Sequence, residues 1–108
     1  MSSFEEREKA HEAKFAHDAN LRFKAEARRN KHLAHWACGK MGIETADEIA
    51  NYVAEVIAAD MTTAGFEDVV TKIKADFDDK GVATDEADIR AKLAEFDAQA
   101  KLEVVSES

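Results

Sequence analysis

The sequence predicts an all-α protein, a four-helix bundle with a long first helix whose N-terminal part is mobile. Three observations predict it. The 108 residues contain no proline and only four glycines, amid abundant Ala, Glu and Lys, a composition that favours helix. Beyond residue 45, apolar residues recur in three stripes with the spacing of an amphipathic helix. Before residue 20 the only large apolar side chains after Met1 are Phe4 and Phe15, too few to hold that stretch against a core.

The elements follow in order. Ser3-Phe4-Glu5-Glu6 fits a capping box, and nothing breaks a helix from Phe4 to about Gly39. Glu5 with Lys9 and Asp18 with Arg22 are favourably oriented i,i+4 pairs. From Phe23 a packing face is expected through Phe23, Ala27, Asn30, Ala34, Ala37 and Met41, with Leu33 and Trp36 beside it. Gly39 and Gly42 end this helix. Thr45-Ala46-Asp47-Glu48 is a second capping box, followed by a stripe of Ile49, Tyr52, Val53, Val56 and Ile57. Residues 61–65 form a loop. Phe66, Val69, Val70, Ile73 and Phe77 make the next stripe, which stops at Gly81. Thr84 or Asp85 caps a fourth helix with Ile89, Leu93, Phe96 and Ala100 facing inward.

At about 1.5 Å per residue, a helix from 4 to 40 would be roughly 55 Å long, about twice the second and third. Its first half must overhang and is marginal alone. The expected division is a mobile segment over 1–20, a bundle over 21–104 and a frayed tail over 105–108.

Charge is unevenly placed. The net charge is −8, but residues 1–40 carry nine Lys/Arg against six Asp/Glu, and residues 41–108 carry six against seventeen. The acidic body argues against nucleic acid as a partner, since that binding rests on phosphate neutralisation. The basic front faces a different partner from the rest. A single cysteine, Cys38, excludes an intrachain disulfide and a cysteine-based zinc site. No apolar run approaches the ~20 residues of a membrane helix, so a soluble, cytoplasmic protein without direct membrane insertion is expected.

The stretch "AHEAKFAH" at 10–17 looks at first like a metalloprotease signature. That chemistry needs His-Glu-x-x-His on one helix face. His11 and His17 are six apart and point about 120° away from each other at roughly 100° per residue. No metal site is expected there. His32 and His35 share a face but lack further ligands. Cys38 reads as a small buried residue, and no catalytic base stands in a defined motif, so no enzymatic activity is expected. The acidic runs at 76–79 and 85–88 read as solvated surface.

Two groups of residues point to a partner. Phe4, His11 and Phe15 align on one side of a helix, with Arg7, Glu8, Glu12 and Lys14 around them. Two buried Phe side chains give roughly 3–6 kcal/mol, ordering the backbone costs about 1–2 kcal/mol per residue, and charge-assisted contacts from those four must make up the difference. This pattern suits a helix that binds in a groove. Arg28, Arg29 and Lys31 form a basic cluster, read either as a solvated face or as a secondary contact with an acidic partner or a phosphate.

The stretches "FEEREKAHEAKFAHD" and "FKAEARRNK", and more loosely "ADIRAKLAEF", resemble the zeta subunit of the alphaproteobacterial F-type ATP synthase, a family of small ATPase inhibitors. The resemblance implies a four-helix bundle with a mobile inhibitory N-terminus. It implies a non-catalytic protein that blocks ATP hydrolysis by entering a catalytic interface between alpha and beta subunits, near the central gamma shaft. It places the chain in the cytoplasm, peripheral to the inner membrane through the synthase, as a monomer when free. No cofactor is required. The family is also associated with ADP or ATP binding by the bundle, which gives the alternative of an adenine-nucleotide-binding regulatory bundle. No glycine-rich phosphate loop marks where a nucleotide would sit.

Overall fold

The computed structural model describes residues 18–61 and 66–107. Its four helices are α1 (Ala19–Met41), α2 (Ala46–Asp60), α3 (Glu67–Lys80) and α4 (Glu86–Glu107). Consecutive helices pack side by side and α4 closes against α1, while the backbones of α2 and α4 lie apart across the diagonal. The all-α four-helix bundle expected from the sequence is the fold observed.

The ends of the helices follow local chemistry. Thr45 caps α2: its hydroxyl oxygen accepts from the Glu48 amide at 3.2 Å and its hydroxyl donates to the Glu48 carboxylate at 2.9 Å. Gly42 and Gly81 close α1 and α3 in the left-handed region, at φ 74° and 72°, where a side chain would be strained. Gly39, expected to help end the first helix, lies inside α1.

The expectation of one unbroken helix from Phe4 needs correction. Asp18 has an extended backbone, φ −123° and ψ 100°, and its carboxylate accepts from the Leu21 amide at 3.1 Å. Asp18 is therefore an N-cap, and α1 begins at Ala19. Its carboxylate serves the backbone rather than Arg22. The expected mobility of the segment before it falls on residues 1–17, outside the described residues.

The apolar residues form two clusters. The main core joins Leu33, Ala34, Ala37 and Cys38 of α1 to Tyr52 and Val56 of α2, Val69, Val70, Ile73 and Phe77 of α3, and Ile89 and Leu93 of α4. The stripes of α2, α3 and α4 thus face inward as expected, except that Phe66 stays partly exposed as the N-cap of α3. A smaller cluster joins Leu21 and Ala25 to Val104, with Val105 beside it.

Helix length explains the second cluster. At about 1.5 Å per residue, α1 and α4 are roughly 35 and 33 Å long, and α2 and α3 roughly 22 Å. The first turns of α1 and the last turns of α4 therefore run past the end of α2 and, among the described residues, pack against each other. Two expectations change as a result. Residues 105–107 are helical rather than frayed, because Val104 is buried against α1. Phe23 is 68% exposed and does not open the packing face. In that half of α1 the buried row is Leu21, Ala25 and Arg29.

Candidate partner-binding helix

Seven residues that the sequence singles out for partner binding, Phe4, Arg7, Glu8, His11, Glu12, Lys14 and Phe15, lie outside the described residues. The other three, Arg28, Arg29 and Lys31, sit on α1, and the structure separates them.

Arg29 continues the i,i+4 row of Leu21 and Ala25, so it points between helices and is only 6% exposed. Its guanidinium lies 3.2 Å from Asp60 at the end of α2 and 3.7 Å from Asp97 on α4. Its Nε donates to Oδ1 of the neighbouring Asn30 at 3.1 Å. A buried cation is tolerated when it is paired and hydrogen-bonded in this way. Arg29 joins three helices, and the reading of it as a surface contact is corrected.

Arg28 faces α4. Its Nη2 donates to Glu107 at 2.8 Å and its Nη1 also pairs with Glu107, with Glu103 at 3.9 Å. One turn on, His32 Nε2 lies 2.9 Å from Glu103, and the imidazole ring is 5.7 Å from that of Phe96. Gln99 donates to the other Glu103 oxygen at 3.0 Å. These donors hold the Glu103 carboxyl below its usual range, through His32 first and then Gln99, and the Arg28 guanidinium does the same for Glu107. Lys31 is exposed and makes no ion pair among the described residues.

His35 is exposed, and among the described residues no group of three His, Cys, Asp or Glu could hold a metal. Burial pushes the Cys38 thiol up, which keeps it protonated. Asp76, read from the sequence as solvated, accepts from the Tyr52 hydroxyl at 2.8 Å and from Lys72 at 2.9 Å. Burial first, and then Asp76, raise the Tyr52 phenol far above its ordinary range.

Sequence reasoning missed Asp18, Asp60, Asp97 and Glu103. For Asp18 a signal was available, an Asp just ahead of a periodic apolar run. For the other three the partner lies on a different helix, and no local pattern marks it.

Among the described residues no helix is long and apolar enough to cross a membrane. No curated protein matches the chain. A solution NMR structure of a protein 42% identical to it superposes with a TM-score of 0.69, covering 82% of this chain and 99% of that one. The family model of the ATPase inhibitor subunit zeta matches residues 1–103. With the N-terminal segment and nearly the whole bundle inside that match, the chain belongs to the ATPase inhibitor subunit zeta family.

Proposed function

We propose that this chain inhibits the F-type ATP synthase by inserting residues 1–20 into a catalytic interface between alpha and beta subunits, beside the gamma shaft. The observation that carries the reading is the extent of the family match, which begins at residue 1 and takes in the segment together with the bundle. The bundle supports it by its self-sufficiency. Arg28, Arg29, His32 and Lys72 are all tied to carboxylates of the same chain, so the bundle is a stable handle. The chain supplies binding energy and no chemistry, works as a monomer and reaches the membrane only through the synthase.

A body wedged beside a rotating shaft acts asymmetrically. Rotation in the hydrolysis direction draws it in, and rotation in the synthesis direction pushes it out. The test is to add the purified chain to coupled membrane vesicles of its own organism and follow both reactions. Hydrolysis should fall strongly and synthesis little at the same concentration. Equal suppression of both would overturn the one-way mechanism, and suppression of neither would overturn the inhibitor reading.

A second reading is adenine-nucleotide binding by the bundle. A cleft of about 280 Å³ brings Trp36, Lys40, Thr84 and Lys92 together, an aromatic ring and two ammonium groups of the kind a nucleotide uses. Asp88 and Glu95 line the same cleft and oppose a polyphosphate. Titration with ADP, followed by the Trp36 indole NMR signal, tests it; an unmoved signal at millimolar ADP would exclude this cleft.

A further inference from the structure

Among the described residues, the two long helices leave one face of α1 exposed, and that face has a distinct chemistry. α1 contains six Lys/Arg and a single acidic residue, Glu26, whereas residues 41–108 carry six Lys/Arg against seventeen Asp/Glu. Arg28 and Arg29 are consumed by carboxylates of the bundle. Lys24 and Lys31 remain exposed and make no direct ion pair among the described residues, although Lys24 is near enough to Glu107 to help Arg28 hold its carboxyl below the usual range. They stand seven residues apart, within about 20° of each other around the helix. Phe23, Ala27 and Lys31 form an i,i+4 row beside them, and Phe23 is 68% exposed.

An aromatic side chain this exposed has a geometric reason to be so. Arg29 meets Asp60, the last residue of α2, and Phe23 lies six residues earlier, about 9 Å further along α1. That height is past Asp60, so Phe23 has no turn of α2 beside it. Buried Leu21 and Ala25 show that the opposite side of the same turns is already held by α4. Phe23 is therefore not needed for the hairpin of α1 and α4.

We propose that Phe23, Lys24, Ala27 and Lys31 form a second docking surface of the inhibitor, occupied by an acidic surface of the ATPase that carries an apolar recess for the ring. This inference rests on the inhibitor reading above. Charge complementarity selects the occupant: the strip is positive beside a body, residues 41–108, that is strongly acidic, and an aromatic ring beside cations suits an interface anchor. A membrane surface is the weaker match, since electrostatic lipid binding uses clusters of about four to eight Lys or Arg. A second copy would have to meet the strip with its own acidic body, and sedimentation distinguishes that occupant.

The experiment compares the full-length chain with Phe23→Ala, with Lys24→Ala/Lys31→Ala and with the triple variant, all binding to ATPase stripped of its native inhibitor. Thermal unfolding should be unchanged, because none of the altered side chains packs in either core cluster. The triple variant should bind about tenfold more weakly or worse, and the lysine variant should associate more slowly with a flatter salt dependence. Wild type that inhibits while the triple variant binds equally well would overturn the surface and leave the inhibitor reading standing. Wild type that neither binds nor inhibits would overturn the inhibitor reading itself, and this inference with it. Two controls complete the test. Loss confined to binding of anionic vesicles, or to a concentration-dependent self-association seen by sedimentation, would assign the strip to a lipid surface or to a second copy and overturn the proposal.

Discussion

The guanidinium of Arg29 lies 3.2 Å from the carboxylate of Asp60, with both side chains largely withdrawn from solvent. This pair fixes where α2 ends against α1, and so where the two-helix overhang begins. Removing the cation alone would leave Asp60 without its counter-charge, while Asp97 would keep Lys101 at 3.0 Å. Breaking such a buried pair costs about 3–5 kcal/mol. Arg29→Ala should therefore destabilise the bundle by roughly that amount, measured by urea unfolding. Arg29→Met with Asp60→Leu, which removes both charges, should recover a large part of the loss.

Asp18 gives a smaller and more local effect. Its carboxylate satisfies one of the free amides at the start of α1. Replacing an N-cap aspartate by alanine costs about 0.5–2 kcal/mol. Asp18→Ala should lower global stability within that range, and it should raise hydrogen exchange in the first turn of α1 before the main core is affected. Asp18→Asn keeps an acceptor and should restore most of the protection.

Acid should loosen the contact between α1 and α4. The carboxyls of Glu103 and Glu107 titrate below their ordinary value of 4.5, held there by hydrogen bonds from His32 and Gln99 and from Arg28 respectively. A carboxylate whose pKa is depressed by folding stabilises the folded state fully above its unfolded pKa. That contribution disappears as pH falls through the lower, folded value. Stability measured in urea should thus decline below about pH 4.5. The decline should be shallower in Glu103→Gln, which has no charge left to lose. An equally steep acid limb in that variant would remove Glu103 from the account.

Much of this fold was legible because burial there is set by periodicity. Val69, Val70, Ile73 and Phe77 recur at helical spacing, and every one is fully buried. Thr45 and Glu48 announced the start of α2 by a local hydrogen-bonding pattern. Phe23 and Arg29 read wrongly for one shared reason. A large aromatic was assigned to the core and an arginine to the surface, and in the overhang those roles reverse. Which side of α1 is inward there depends on α2 ending at Asp60 while α4 continues to Glu107. That is a property of other helices, 31 and more residues away. The partner-binding residues from Phe4 to Phe15 were read from their spacing and from the family resemblance, and they lie outside the described residues.

The last prediction separates the inhibitory segment from the bundle that carries it. If residues 1–20 bind in a groove of the ATPase, Phe4 and Phe15 are the only large apolar anchors available to it after Met1. Interface energy concentrates in such aromatic anchors. Phe15→Ala should weaken inhibition by about 2 kcal/mol, or roughly 30-fold in the concentration required, with no change in the unfolding of the bundle. Ile73→Ala supplies the opposite case. Ile73 is fully buried in the main core, so its truncation should cost about 2–5 kcal/mol of stability. At a temperature where that variant is still folded, it should inhibit as well as wild type. The crossed comparison needs only two measurements per variant, an inhibition curve and an unfolding curve. A Phe15→Ala bundle as destabilised as Ile73→Ala would place Phe15 in the core. An Ile73→Ala variant that is folded but fails to inhibit would mean that the bundle itself contacts the enzyme through surfaces its core must hold in shape.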